Sequence, residues 1–287
     1  MKMRTEAALT SADRELARHT DLGHGLRPVM RLGLAARGNT HLTPEDVAFA
    51  VERGVNYLNS CGYDDGIARA LRGGLIDRGK VVVATQLGGR TARSMRKSLD
   101  RFLELIGGNS CDVVTLYYVE EESEWKEIIE PAGAMETLEE ARNSGQIRMI
   151  GLTSHQRKFA ARWAESGKLD LLMIRYNAAH RGAEEDVFPA AERLGIPVVT
   201  YTAQRWGALK KRTPGDPEGF KPPHAREWYR WALAHPRAGV VLMAPANRQE
   251  LEENLQLLDD WRAPSPENFA ALAAHGRRVR HHAVVFW

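Results

Sequence analysis

The chain has 287 residues, 43% hydrophobic and 27% charged, a balance that supports one large buried core and excludes a disordered chain. Forty basic residues against thirty-seven acidic ones, a net charge of +3, are too even to point to a nucleic-acid partner. Two cysteines, Cys61 and Cys111, exclude a disulfide framework, and no apolar run approaches the ~20 residues that span a bilayer.

In chain order, residues 1–27 form a charged N-terminal extension without the apolar stretch of a secretory signal, so a soluble cytoplasmic protein with no membrane partner is expected. Residues 28–34 (PVMRLGL) read as a strand. A helix is expected over 43–53, with Thr43 as its N-cap, Pro44 in its first position and Gly54 just past its end. Strand 55–58 and helix 67–76 follow, then strand 81–85 and a helical repeat of apolar residues over 92–106. Next come strand 112–119, the acidic run Glu120–Glu122 as a solvated face, and helix 132–143. Strands 149–152, 171–175, 197–201 and 239–243 alternate with helices 157–166, 183–194, 224–234 and 248–258. Residues 210–223, rich in Pro, Gly and charge, read as a surface loop, and 264–287 as one more helix with an apolar end (AVVFW).

The strands are short and apolar throughout, as expected where helices cover one face and a barrel interior the other. Strict alternation of strand and helix means a parallel sheet. Eight such units with no linker favour a closed (β/α)₈ TIM barrel in a single domain over residues 28–260, with 261–287 as a C-terminal helix and tail. The loops after the strands, 59–66, 86–91, 117–123, 153–156, 175–182 and 202–223, should then gather at one end. No G-x-G-x-x-G stretch supports a Rossmann alternative.

Several segments resemble the aldo/keto reductase family in order and spacing: RLGL at 31–34, RGVNYL at 53–58, GQIRMIGL at 145–152, RYN at 175–177, YTAQRWGAL at 201–209, and the helix region 245–255 containing ELEENL. The resemblance covers about residues 28–260. It implies NADPH-linked carbonyl reduction, in which hydride reaches a carbonyl carbon and a tyrosine, made acidic by a lysine and a histidine, protonates the oxygen. By the same resemblance the Asp position falls on Asn59, the Lys position on Gln86 and the His position on Tyr117. The Tyr position falls near Tyr63, one residue short of the family spacing, with Asp64 by straight count. Replacing an ammonium by the Gln86 amide removes the main pressure that lowers a phenol's pKa.

The resemblance also implies a dinucleotide site. Thr153 and Ser154 stand where the nicotinamide carboxamide is held, Tyr201 where a ring stacks on nicotinamide, and Asn254 where adenine is held. Arg205, Trp206, Gly207 and Leu209 occupy the pyrophosphate loop. Met173 replaces a usual Gln. Glu250 replaces the Arg that meets a 2′-phosphate, with Arg248 as a substitute cation, so the cofactor is NADP or NAD without a clear preference.

From the residues themselves, side-chain alternation sends one of Tyr117 and Tyr118 into the barrel mouth. His155, at a strand end, is either an acid/base or a helix cap. His180 and Arg181 suit an acidic ligand or a solvated loop, and Cys61 a small packed residue. His281 and His282 read as a surface pair. Two function classes remain: a divergent oxidoreductase acting on a small carbonyl or alcohol, and a redox-neutral enzyme (isomerase, lyase or cyclase) or binding protein on the same barrel.

Overall fold

The computed structural model describes residues 15–36 and 40–282. A short antiparallel pair opens the chain, β1 (His19–Thr20) with β2 (Val29–Met30). The barrel follows as β3 (Leu32–Ala35), α1 (Pro44–Glu52), β4 (Tyr57–Ser60), α2 (Gly66–Arg72), β5 (Val82–Leu87), α3 (Ala92–Leu105) and β6 (Val113–Leu116). Two helices come next, α4 (Glu122–Ile129) and α5 (Ala134–Asn143). The rest is β7 (Met149–Ser154), α6 (Arg157–Ala164), β8 (Leu171–Arg175), α7 (Val187–Leu194), β9 (Val198–Tyr201), α8 (Ala225–Leu233), β10 (Val240–Met243), α9 (Arg248–Leu255) and α10 (Pro266–His281). Strands β3 to β10 are parallel neighbours in chain order, and β10 pairs with β3 to close the barrel. The TIM barrel expected from the alternation is therefore present.

The local signals act where they should. Thr43 caps α1 by accepting from the Asp46 N–H, while Asp46 accepts from the Thr43 N–H at 2.9 Å, and Pro44 follows in the first turn. Two expectations are corrected. Residues 28–34 are not one strand: the chain turns at Arg31, so that β2 pairs back on β1 and only β3 enters the barrel. The loop expected over 117–123 ends in a helix the sequence did not suggest: the acidic run, with Glu121 exposed, leads into α4, whose Trp125 and Ile128 are buried. Among the described residues no helix is long and apolar enough to cross a membrane. The apolar end AVVFW lies outside the described residues; His281 and His282 are exposed at the end of α10, ring beside ring.

Alternation divides each strand between two cores. Tyr57, Val82, Ala84, Val113, Met149, Leu171 and Val199 fill the barrel interior, with Leu22 and Val29 of the hairpin at its floor. The intervening residues pack against the helices. Arg31 sits at the floor, 6% exposed. Its guanidinium donates to the carbonyls of Leu233 (2.9 Å), His235 (3.1 Å) and Ala238 (2.9 Å), and its Nε to Gly239 (3.3 Å). It thus satisfies the carbonyls that α8 leaves open on its way into β10.

Helix α10 lies across two of the loops at the other end. A Cβ on Gly276 would fall 2.3 Å from the Ala178 carbonyl, so only glycine allows this approach. The loop 210–223 is held to the same helix through Asp216. That carboxylate accepts from the Thr213 N–H (2.6 Å) and Arg278 (2.6 Å) and lies 2.8 Å from His275 Nδ1, while His275 Nε2 lies 3.2 Å from the Leu209 carbonyl. Burial works against the Asp216 charge, but these hydrogen bonds outweigh it and hold the carboxyl well below the usual carboxylate range. A depressed carboxyl stabilises at any pH above the unfolded value of about 4 and loses its effect only as pH falls through its own lower value. Asp216 therefore stays charged from pH 5 to pH 8. Asp216→Asn should speed limited proteolysis within 210–223 by about tenfold or more, since hydrogen bonds to a charged group contribute roughly 1.5–3 kcal/mol. An unchanged cleavage rate would show that the ion cluster does not restrain the loop.

Candidate active site

The C-terminal end of the barrel opens into a cavity of about 240 Å³. Alternation from the interior core brings Asn59 on β4, Gln86 on β5, Met173 on β8, Tyr201 on β9 and Leu242 on β10 to its floor and walls. Trp206, Gly207 and Lys210 form one rim, and Ala246 and Glu250 the far side. The floor amides are poorly satisfied. Asn59 is 1% exposed, and among the described residues neither its Oδ1 nor its Nδ2 has a hydrogen-bond partner. Gln86 Nε2 donates to the Met173 sulfur at 3.4 Å, a weak acceptor. A buried amide left unpaired costs roughly 1–3 kcal/mol, so these groups suit a polar ligand in the cavity.

One wall is aromatic. β6 ends at Leu116, and Tyr118 takes a positive φ of 41°, uncommon for a large side chain. This turn sends the Tyr118 ring into the cavity, where it meets Tyr201 edge-on at 6.4 Å. Its other face stacks on His155 at 4.3 Å. The His155 backbone N–H donates to Glu120 Oε1 at 2.9 Å, and Nδ1 donates to the same oxygen at 3.1 Å. A carboxylate, an imidazole and a phenol therefore stand in sequence behind the cavity wall. Tyr201 is buried, and burial followed by the neighbouring Tyr118 holds its phenol well above the usual range.

The other sequence-predicted residues are dispersed. Tyr63 is 69% exposed and lines surface depressions outside the cavity. The local fold explains this. Asp65 caps α2 by accepting from the Ala68 N–H at 2.8 Å and receives the Ser60 hydroxyl at 2.8 Å, while Gly62 turns with φ 78°. The loop is pinned at both ends, and Tyr63 stands at its tip. Tyr117 lines the depression beside Tyr63 and Ser98, which Gln86 and Cys61 also reach; Cys61 lines the main cavity too. Thr153 faces the barrel interior, but its hydroxyl donates to Thr115 Oγ1 at 3.2 Å. Ser154, one residue on, faces away and accepts from the Gln156 N–H at 2.9 Å.

On the proposed cofactor side, Trp206 and Gly207 reach the rim, whereas Leu209 is buried in the outer core. Arg205 is 8% exposed and turns under α10, donating to the Val279 carbonyl at 3.3 Å. Arg248 is taken up by Glu252 at 2.7 Å and Asp46 at 3.4 Å and lies 3.6 Å over the Phe49 ring. Asn254 is buried in α9, and among the described residues both its amide atoms lack a partner. Sequence reasoning left out Tyr118 in favour of its neighbour, and missed Lys210 and Tyr229. Lys210 pairs with Glu250 at 3.3 Å across the rim, and Tyr229 accepts from Gln204 at 2.6 Å in the wall. Glu250 also accepts from the Ala246 N–H at 2.9 Å. That hydrogen bond first, and Lys210 beside it, hold its carboxyl below the usual range, so it is charged at neutral pH. Among the described residues no three His, Cys, Asp or Glu side chains converge as a metal site.

The residues present fit part of a nicotinamide dinucleotide site. The Tyr201 ring, the unpaired amides of Asn59 and Asn254 and the glycine at the rim are suited to it, while Thr153, Ser154 and Arg248 are already engaged. Comparison with known proteins gives a consistent picture. The model of the aldo/keto reductase family matches residues 30–228. The holo form of an aldo-keto reductase from Bacillus halodurans superposes with a TM-score of 0.71 at 18% identity, over 93% of this chain and 98% of that one. Its apo form gives 0.68 at the same identity and coverage. Identity this low shows the shared fold alone. No curated protein sequence matches the chain. With the family's model spanning more than half of its length and the barrel closed in the same way, the chain belongs to the aldo/keto reductase family, a family of oxidoreductases.

Proposed function

We propose that this chain is an NAD(P)-dependent oxidoreductase with non-standard catalytic residues, acting on a small carbonyl or alcohol held in the barrel mouth. The observation that carries this reading is the buried, unpaired Asn59 amide facing a cavity walled by Tyr118 and Tyr201. A bound nicotinamide supplies hydride. The chain's own residues do the rest. Tyr118 places a phenol in the cavity, backed by His155 and Glu120, and holds the proton that reaches the substrate oxygen. Asn59 and Gln86 orient polar groups by their amides. Met173, Leu242 and Tyr201 exclude water from the floor. Tyr118 thus takes the donor role in place of Tyr63, which is exposed and does not line this cavity. Titrating the protein with NADPH and NADH, followed by nicotinamide fluorescence, tests the reading. Saturable binding of at least one is expected, and binding of neither would remove it.

Glu250 bears on the choice of dinucleotide. Its charge at the cavity's far side disfavours a 2′-phosphate and suits a ribose hydroxyl. Two like charges a few ångström apart in a wet site repel by about 1 kcal/mol, roughly a fivefold effect. NADH should therefore bind at least as well as NADPH, and Glu250→Gln should shift the ratio toward NADPH by about fivefold. An unchanged ratio would place the 2′ position away from Glu250. The redox-neutral alternative has one observation in its favour: neither Asn59 nor Gln86 brings charge to the floor.

A further inference from the structure

Arg175 stands out at the barrel mouth. Along β8, Leu171 and Met173 face the interior and Leu172 and Ile174 the helices, so Arg175 points inward, one layer above Met173. Its register partner is Tyr201 of the cavity wall. It is half-buried and, among the described residues, makes no side-chain hydrogen bond or ion pair. Its neighbours differ. Arg157 donates to both oxygens of Asp186 at 3.2 Å, and Arg181 to both oxygens of Glu184 at 2.8 Å. A half-desolvated guanidinium without a counter-ion is costly to keep, and it is the group best shaped to grip a carboxylate or phosphate with two parallel hydrogen bonds.

The surroundings add positive potential. Arg205, buried beneath α10, donates to the Val279 carbonyl, and among the described residues its Nε has no acceptor. His180 lies among Arg175, Arg205, Arg280 and Arg157; burial and then these cations push its pKa down to about 3, so it stays neutral and supplies no compensation. Glu120 acts on Arg175 only through its field, and its Oε1 accepts from the His155 backbone N–H and Nδ1. Tyr118, Tyr201 and the like-charged Arg157 also act on Arg175.

We propose that Arg175 binds a carboxylate or phosphate group of a small-molecule ligand whose uncharged part enters the cavity between Tyr118 and Tyr201. The substrate is then an anionic carbonyl compound or alcohol. This names a substrate class for the reading above and rests on that reading for the cavity's role as the substrate site.

Calorimetric titration of the full chain with benzoate, and with benzamide as its uncharged analogue, tests the proposal. Benzoate should bind, benzamide at least about tenfold more weakly. Arg175→Met should weaken benzoate by about tenfold or more and leave benzamide unchanged, and Arg175→Lys should recover part of the loss. Arg175→Gln serves if the methionine variant does not fold. NADH titration of the same proteins separates the sources of the anion. A loss of NADH binding in Arg175→Met, with benzoate not bound by the parent, assigns the arginine to a cofactor phosphate and overturns the substrate class. Benzoate binding that depends on Arg175 in a protein that binds no dinucleotide overturns the oxidoreductase reading and upholds the anion site. Parent-like binding of both ligands by Arg175→Met, or no binding of either by the parent, overturns the proposal.

Discussion

Asn59→Asp combined with Gln86→Lys should raise NADPH-linked reduction of an aromatic aldehyde by about 10²-fold, the lower end of what a positioned general acid contributes. The parent should turn over such aldehydes weakly. Reduction leaves negative charge on the carbonyl oxygen, and the donor phenol needs a neighbouring cation to give up its proton near neutrality. The floor of this cavity offers two neutral amides instead. Both residues point inward from adjacent strands. Asn59 pairs in register with Ala84, so residue 86 stands one layer above it on the same face. A lysine there gains an ammonium, and an aspartate at 59 orients and neutralises it. The single Gln86→Lys change would leave a charge unpaired in a buried position and should cost stability, which is why the two are made together. Adding Tyr118→Phe should abolish the gain, whereas adding Tyr63→Phe should not. Brisk turnover by the parent would mean that its present groups already deliver the proton. A folded double variant with no gain would remove Tyr118 as the donor.

Arg31→Met should destabilise the fold by about 3 kcal/mol or more. Three carbonyls at 2.9–3.1 Å, those of Leu233, His235 and Ala238, lose their donor in a place that water does not reach, and each unsatisfied group costs roughly 1–3 kcal/mol. Methionine preserves much of the side-chain volume, so the loss reports hydrogen bonding rather than a cavity. At about 2–4 °C per kcal/mol for a chain of this size, the midpoint of thermal unfolding should fall by about 6–12 °C. Arg31→Lys should recover only part, because an ammonium cannot spread over the same set of carbonyls as the planar guanidinium. A midpoint within a degree of the parent would mean that the segment 233–239 finds other donors. Arg31 lies at the opposite end of the barrel from the cavity, so the nucleotide affinity proposed above should change little in protein that remains folded.

Much of the barrel was legible because its strands carry their burial in their composition: VVVAT at 81–85 is apolar on both faces, as only a covered strand can be. The floor hairpin was not. β1 and β2 are two residues each, too short for a period, and Arg31 between β2 and β3 looks like an ordinary strand residue until its carbonyl partners, some 200 positions away, are in place. Helix α4 was masked by its own acidic start, although Trp125 and Ile128 at a spacing of three were a usable signal. At the site, Asn59, Gln86 and Tyr201 could be placed by resemblance and by alternation. Alternation could not say which of Tyr117 and Tyr118 turns inward, because the strand stops at Leu116 and a positive φ intervenes. Tyr63 is carried outward by a cap at Asp65 and a turn at Gly62 that a count of residues does not reveal. Arg175 appeared as part of a family-like run; that no ion pair forms on it among the described residues depends on the fold around it and not on its own segment.

The contact of Gly276 with the Ala178 carbonyl, and of Asp216 with His275 and Arg278, makes the loops after β8 and β9 and the helix α10 one physical piece drawn from three distant stretches of chain. In barrel engineering the loops are commonly treated as interchangeable modules, each swapped between its own strand and helix. Here the unit of exchange is larger. A loop from another barrel grafted at 176–182 meets the spine of α10 where Gly276 has no side chain, and one grafted at 210–223 strands Arg278 and His275 without their carboxylate. A successful chimera has to carry the C-terminal helix with the loops it holds, and directed evolution of substrate range in this chain should find compensating changes on α10 as often as in the loops themselves.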